Sequence, residues 1–155
     1  MAEHLTDSPL AAEAVLAGVG DPEHGGTACF LGTTRRESES REVVAIEYEA
    51  HRAMAEEEIV RIVSEAGDRF GGTMAAIHRV GRVEVGEPSV IVAASTPHRP
   101  EAFAACRFLI DGIKARAPIW KRIHYVDGNA EWIDGISESA RGTAHINHGQ
   151  SAAWG

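Results

Sequence analysis

Lysine is scarce in this 155-residue chain: Lys114 and Lys121 are the only two, beside thirteen arginines. Cysteine is as scarce, and Cys29 and Cys106 form no CxxC pair, so neither a disulfide framework nor a zinc site is expected. Each cysteine reads as a small buried hydrophobe. No apolar run approaches the roughly 20 residues that span a bilayer. Met1-Ala2-Glu3-His4 lacks the basic start and apolar stretch of a signal peptide, so a cytoplasmic location without membrane attachment is expected. The net charge of −8 leaves no general basic surface for nucleic acid. GxGxxG, Walker A, HExxH and GxSxG patterns are missing, so dinucleotide, P-loop, zinc-protease and α/β-hydrolase readings have no support.

What is present suits one α+β domain with a largely antiparallel sheet and helices packed on it. Ser8-Pro9 reads as a helix start, with the helix ending at Gly18 and Gly20. Thr27 to Thr33 reads as a strand. Residues 34–42 hold no apolar side chain and read as a mobile loop, after which Val44, Ile46 and Tyr48 alternate as a strand antiparallel to the one before. Apolar residues spaced by three and four predict a helix over 52–70, stopped by Gly71-Gly72. Thr73–Val80, Val83–Val85 and Ser89–Thr96 read as strands, the last apolar enough to lie centrally. A helix follows, begun by Pro100, with Phe103, Cys106, Ile110 and Ile113 on its inner face and Lys114 in its last turn. Ile119–Val126 is extended, and Asp127-Gly128-Asn129 turns the chain towards Trp132. Residues 1–134 are expected to form the domain and 135–155, without a sustained period, a tail.

The chemistry is expected at element ends. Lysine can lose its proton when desolvated, whereas arginine stays charged, so two lysines flanking Ala117-Pro118-Ile119-Trp120 suggest acid, base or nucleophile work. The plain alternative is a GC-rich gene that prefers arginine. Arg35 at a strand exit and His98-Arg99 at a strand-to-helix junction add cations that suit an anionic ligand, although surface solvation accounts for arginines equally well. His78 reads as a hydrogen-bonded core histidine. His4, His24, His51 and the pair His145 and His148 read as solvated.

In these stretches the chain resembles the large, catalytic subunit of molybdopterin synthase. The resemblance runs from about Leu5 to Trp132. It includes Phe30-Leu31-Gly32-Thr33-Thr34-Arg35, Tyr48-Glu49-Ala50, Met54-Ala55-Glu56, Ile77-His78-Arg79-Val80-Gly81, His98-Arg99, Phe103, Lys114 through Arg122, Asp127-Gly128 and Trp132. It implies an α/β-hammerhead-like fold and an enzyme that inserts two sulfurs into cyclic pyranopterin monophosphate, forming the molybdopterin dithiolene. The sulfur comes from the thiocarboxylated Gly-Gly end of a small ubiquitin-like subunit, in a heterotetramer built on a homodimer, without metal or organic cofactor.

By the same resemblance Lys114 is the principal catalytic residue and Lys121 assists. Arg35, His98, Arg99, Arg116 and Trp120 are substrate-binding candidates, with His98 and Arg99 reaching from the neighbouring subunit. Ile123 stands where the family commonly has glutamate, and Thr34 where valine is usual. The alternatives are a lysine Schiff-base enzyme on a phosphorylated carbonyl compound, a non-catalytic dock for a ubiquitin-like tail, and a persulfide sulfurtransferase using Cys106, which an apolar helix face disfavours.

Overall fold

The computed structural model describes residues 3–134, so the tail and its histidines lie outside the described residues. The element order is β1 (Leu5–Thr6), α1 (Ala12–Ala17), β2 (Gly26–Thr33), β3 (Glu37–Ser38), β4 (Arg41–Ala50), α2 (Arg52–Phe70), β5 (Thr73–Arg79), β6 (Gly81–Glu84), β7 (Pro88–Thr96), α3 (Arg99–Arg116), β8 (Ile119–Tyr125) and β9 (Ala130–Asp134). The α+β class with mainly antiparallel pairing is borne out; β1 against β5 is the one parallel pairing among the described strands.

The strands form two sheets, ordered β1-β5-β7-β2 and β3-β4-β8-β9, with β6 also on β4. β7 is interior and buried along most of its length, as its apolar run requires. Helices α2 and α3 pack on the first sheet and on each other. Ala55, Ile59, Ile62 and Ala66 of α2 and Ala102, Ala105, Cys106, Leu109, Ile110 and Ile113 of α3 are buried, the three-and-four spacing of an inward stripe. Each fully buried Ile or Leu contributes about 1.5–3 kcal/mol of apolar transfer. The two helices close tightly, since a Cβ on Gly112 would lie 3.0 Å from Ile62 Cγ2. Gly81, at φ 99°, ends β5's run and starts β6, joining the two sheets.

Four expectations are corrected. The first helix begins at Ala12 with no side-chain cap, so Ser8 does not start it; its hydroxyl-bearing neighbour Thr6 instead accepts from Ser8 N. Residues 34–42 are not simply a loop. β3 and the start of β4 make a tight hairpin over Glu39 and Ser40, both at positive φ, a geometry whose twist suits antiparallel strands. β4 does not pair with β2; it crosses into the second sheet, where β6 and β8 supply the apolar partners. Phe103 is 67 % exposed, because it falls one position off the stripe that α3 buries.

Candidate active site

Helix α3 positions the first lysine and β8 the second. The helix ends at Arg116 because Pro118 disfavours helical geometry at Ala117, which is extended at ψ 128°. Ile119 N donates to the Ala117 carbonyl at 2.8 Å, closing a tight turn, and His51 N donates to the Pro118 carbonyl at 3.2 Å. His51 also caps α2 by accepting from Met54 N, so this junction is tied to a second helix. Lys114 and Lys121 therefore stand on the two arms of one anchored turn.

Strand alternation then separates neighbours. Ile119, Lys121, Ile123 and Tyr125 face inward, and Trp120, Arg122 and His124 face outward. Lys121 is only 2 % exposed, an uncommon place for a lysine. Tyr48 lies directly across the β4–β8 ladder from it, and Gly81 flanks Tyr48 on the other side. The His78 ring meets Tyr48 edge to face, with centroids 4.9 Å apart. His78 is wholly buried, and its Nδ1 lies 2.7 Å from the Arg79 carbonyl, so Nδ1 carries the proton and donates. Burial first, and then the positive field of Lys121, lower the His78 pKa to about 4. The imidazole is neutral at pH 7 in this Lys121–Tyr48–His78 cluster. Lys114, by contrast, is half-buried.

Arg35 is exposed just beyond β2. Its neighbour Thr34 is buried and held on both sides, by its N–H to the Glu87 carbonyl at 3.1 Å and by Gly86 N to its own carbonyl at 2.8 Å. His98 and Arg99 are exposed at the start of α3. Thr96 Oγ1 donates to the His98 carbonyl at 2.6 Å, Gly25 N donates to the Pro97 carbonyl, and a Cβ on Gly26 would lie 3.1 Å from Arg99 Cα. That corner therefore sits at the Gly26 end of β2, while Arg35 leaves its Thr33 end.

One chain does not bring all these cations together. Gly26 to Thr33 covers about 23 Å at ~3.3 Å per strand residue. Arg99 to Lys114 covers about 22 Å at ~1.5 Å per helical residue. Because α3 returns along β7 and β2, Lys114 lies towards the Arg35 end and away from the His98–Arg99 corner.

Two further candidates are placed elsewhere. The Arg116 guanidinium is 2.7 Å from Glu58 Oε1 and forks onto both Glu65 oxygens at 2.7 and 3.0 Å. These hydrogen bonds push its pKa up and clamp the end of α3 to α2, so a substrate-binding role is not carried by this geometry. Trp120 is 38 % exposed on the face of β8 opposite Lys121, so it does not share the Lys121 cluster.

Ile123 is fully buried opposite Ile46 and belongs to the core. Cys106 is buried on α3, and desolvation pushes its thiol up to about 11, away from a reactive thiolate. His78 is a core histidine as expected. Its place beside Lys121 was not legible, because it depends on β4 pairing with β6 and β8 at once. The motif Ile77-His78-Arg79-Val80-Gly81 was the available signal. Among the described residues no three His, Cys, Asp or Glu side chains gather as a metal site.

A family model described as MoaE protein matches residues 5–116. The chain is similar to the molybdopterin synthase catalytic subunit of Nostoc sp., 37 % identical over 131 residues, covering 83 % of this chain and 79 % of that one. Its fold matches molybdopterin synthase from Staphylococcus aureus at TM-score 0.80 and 27 % identity, covering 84 % of this chain and 96 % of the other. It also matches a chain of the protein–protein complex of subunits 1 and 2 of molybdopterin-converting factor from Helicobacter pylori, at TM-score 0.65 and 20 % identity, covering 84 % and 87 %.

Proposed function

The chain belongs to the MoaE protein family, and from that membership we infer that it is the sulfur-inserting subunit of a molybdopterin synthase in molybdenum cofactor biosynthesis. In this reading it converts cyclic pyranopterin monophosphate to the dithiolene, taking sulfur from the thiocarboxylated tail of a small ubiquitin-like subunit. The observation that carries it is the placement of the only two lysines on one anchored turn, with Lys121 buried beside Tyr48 and a neutral His78.

Thiocarboxylate sulfur bonds to a substrate carbon as a C–O bond there breaks and its oxygen leaves with a proton; water then hydrolyses the acyl–sulfur bond, leaving the sulfur on the substrate and a carboxylate on the small subunit's tail. Lys114, half-buried at the end of α3, is the proton donor or base nearest the incoming tail. Lys121 relays protons and anchors substrate from the inner wall. Lysine suits these roles because its amine exchanges a proton, which a guanidinium does not. Arg35 holds the substrate's phosphate, and His98 and Arg99 complete the pocket from a second copy of the chain, since within one copy they lie at the far end of α3. The chain thus acts as a homodimer with one small subunit per copy.

The test is dithiolene formation from cyclic pyranopterin monophosphate with the thiocarboxylated small subunit. Turnover by the native chain, lost in Lys114→Ala while the small subunit still binds, is the expected result. Binding without turnover by the native chain rejects the enzyme and leaves a docking module. A substrate adduct on lysine trapped by borohydride redirects the reading to Schiff-base chemistry.

A further inference from the structure

The sheet around Lys121 is apolar except at one place. On its own strand Ile119 and Ile123 flank it on the inner face, and Ile133 stands directly across the β8–β9 ladder. Across the β4–β8 ladder its partner is Tyr48, which is buried, with Ile46 and Ala50 on either side of Tyr48 on that face. The nearest acidic residues of β4 do not serve: Glu47 and Glu49 alternate onto the opposite face, where Glu47 lies 3.3 Å from His124 Nε2. Tyr48 is therefore the only polar side chain among the ladder neighbours of this buried amine, with directly opposed Cβ atoms about 5 Å apart. A buried N–H group is rarely left without an acceptor.

We propose that Tyr48 is a positioning residue for Lys121, its phenol oxygen accepting a hydrogen bond from the amine while the His78 ring fixes the phenol. His78 reaches that ring because β5 passes through Val80 and Gly81 into β6, and Gly81 lies opposite Tyr48. The imidazole packs edge to face on the phenol at an interplanar angle of 72°, and the Nδ1 hydrogen bond to the Arg79 carbonyl holds the imidazole in turn. The neutrality of the phenol matters. A carboxylate binds a lysine as an ion pair and opposes loss of its proton, whereas a phenol fixes the place of an amine without that opposition. The chain's other tyrosine, Tyr125, shows the contrast: its hydroxyl donates to Glu131 at 3.4 Å, under the Arg41 guanidinium, in a charged cluster at the end of the sheet. The proposal rests on the part given to Lys121 in the reaction above, and adds the side chain that places it.

Because the chain has only two lysines, the contact can be read without turnover. With lysine labelled by carbon-13 at Cε in the full-length chain, one resonance is expected from each, and Lys121→Met identifies that of Lys121. Tyr48→Phe keeps the ring against His78 and removes the hydroxyl alone. It is expected to move the Lys121 resonance, leave that of Lys114 in place, and lower kcat/KM for dithiolene formation by about 10–100-fold. Added to Lys121→Met, it is expected to cost no further activity, since it acts through the amine. Tyr125→Phe is the control, expected to leave both resonances and turnover as they were. In that background Tyr48 is the only tyrosine, so 3-fluorotyrosine repeats the test with no group removed from Tyr48, and is expected to move the Lys121 resonance too. A Lys121 resonance unmoved by either change overturns the proposal. So does native kcat/KM in Tyr48→Phe, or a further loss in the double variant. A native chain that makes no dithiolene removes the reaction, and the resonance still decides the contact.

Discussion

The two ends of α3 carry the same kind of residue and treat it in opposite ways. At its C-terminal end the chain turns straight into β8 and buries Lys121 among Ile119, Ile123, Tyr48 and His78. At its N-terminal end His98 and Arg99 stand in solvent beside an uncovered strand edge. The amine at the first end is shielded from solvent, whereas the exposed cations at the second are screened by it. In the proposed function the lysine end is the reacting centre and the His98–Arg99 end is half of a binding site.

The largest expected effect breaks the lysine end. Lys114→Ala should lower dithiolene formation by roughly 10²–10⁴-fold, the usual worth of a positioned acid or base. Lys121→Met should lose activity on a similar scale, with circular dichroism showing that it still folds. Near-native activity in that variant would remove Lys121 from the reaction.

Next comes the acid response of the same cluster. Folded His78 holds its pKa near 4 against the ordinary 6.5, so the unfolded chain binds the extra proton between those values. Stability is then lost as pH falls from 6.5 towards 4, by up to about 3 kcal/mol, and this contribution is level above 6.5. Urea unfolding from pH 7.5 to 4.5 should show a smaller drop in His78→Gln than in the native chain. Equal slopes would contradict the burial assigned to His78.

At the open end the expected changes are in binding. Arg99→Ala should raise the substrate KM by about 10–150-fold, the loss of one charged hydrogen bond of ~1.5–3 kcal/mol, with unfolding unchanged. Arg35→Ala should match it if both hold one substrate. The smallest effect belongs to Arg116. Its pairs with Glu58 and Glu65 are partly exposed, so Arg116→Ala should cost about 1 kcal/mol in denaturant unfolding and leave KM unaltered. A KM shift there would return Arg116 to the site.

Much of this contrast was legible in residue order. Helix α2 reads off its apolar spacing from Arg52 to Phe70, and Pro118 locates the end of α3. The lysine pair stands out by composition. Pairing across distance did not show: nothing local reports that β4 joins β6 and β8 and not β2, so the approach of His78 to Lys121 stayed hidden. Phe103 was assigned to the inner face of α3 by spacing, yet it falls one position off the buried stripe, and such an offset turns a side chain outward. The separation of Arg35 from Arg99 is likewise a property of length, visible once β2 and α3 are laid along each other.

The most direct measurement mixes two impaired variants, Lys114→Ala and Arg99→Ala, by co-expression and assays dithiolene formation with thiocarboxylated small subunit at a substrate concentration near the native KM, where both are far below native activity. In a mixed dimer one site takes Lys114 from one copy and Arg99 from the other, and is whole. About half the native activity per mixed dimer is the predicted result. Activity no higher than that of the two variants measured separately, in a preparation shown to contain mixed dimers, would contradict a site shared between two copies.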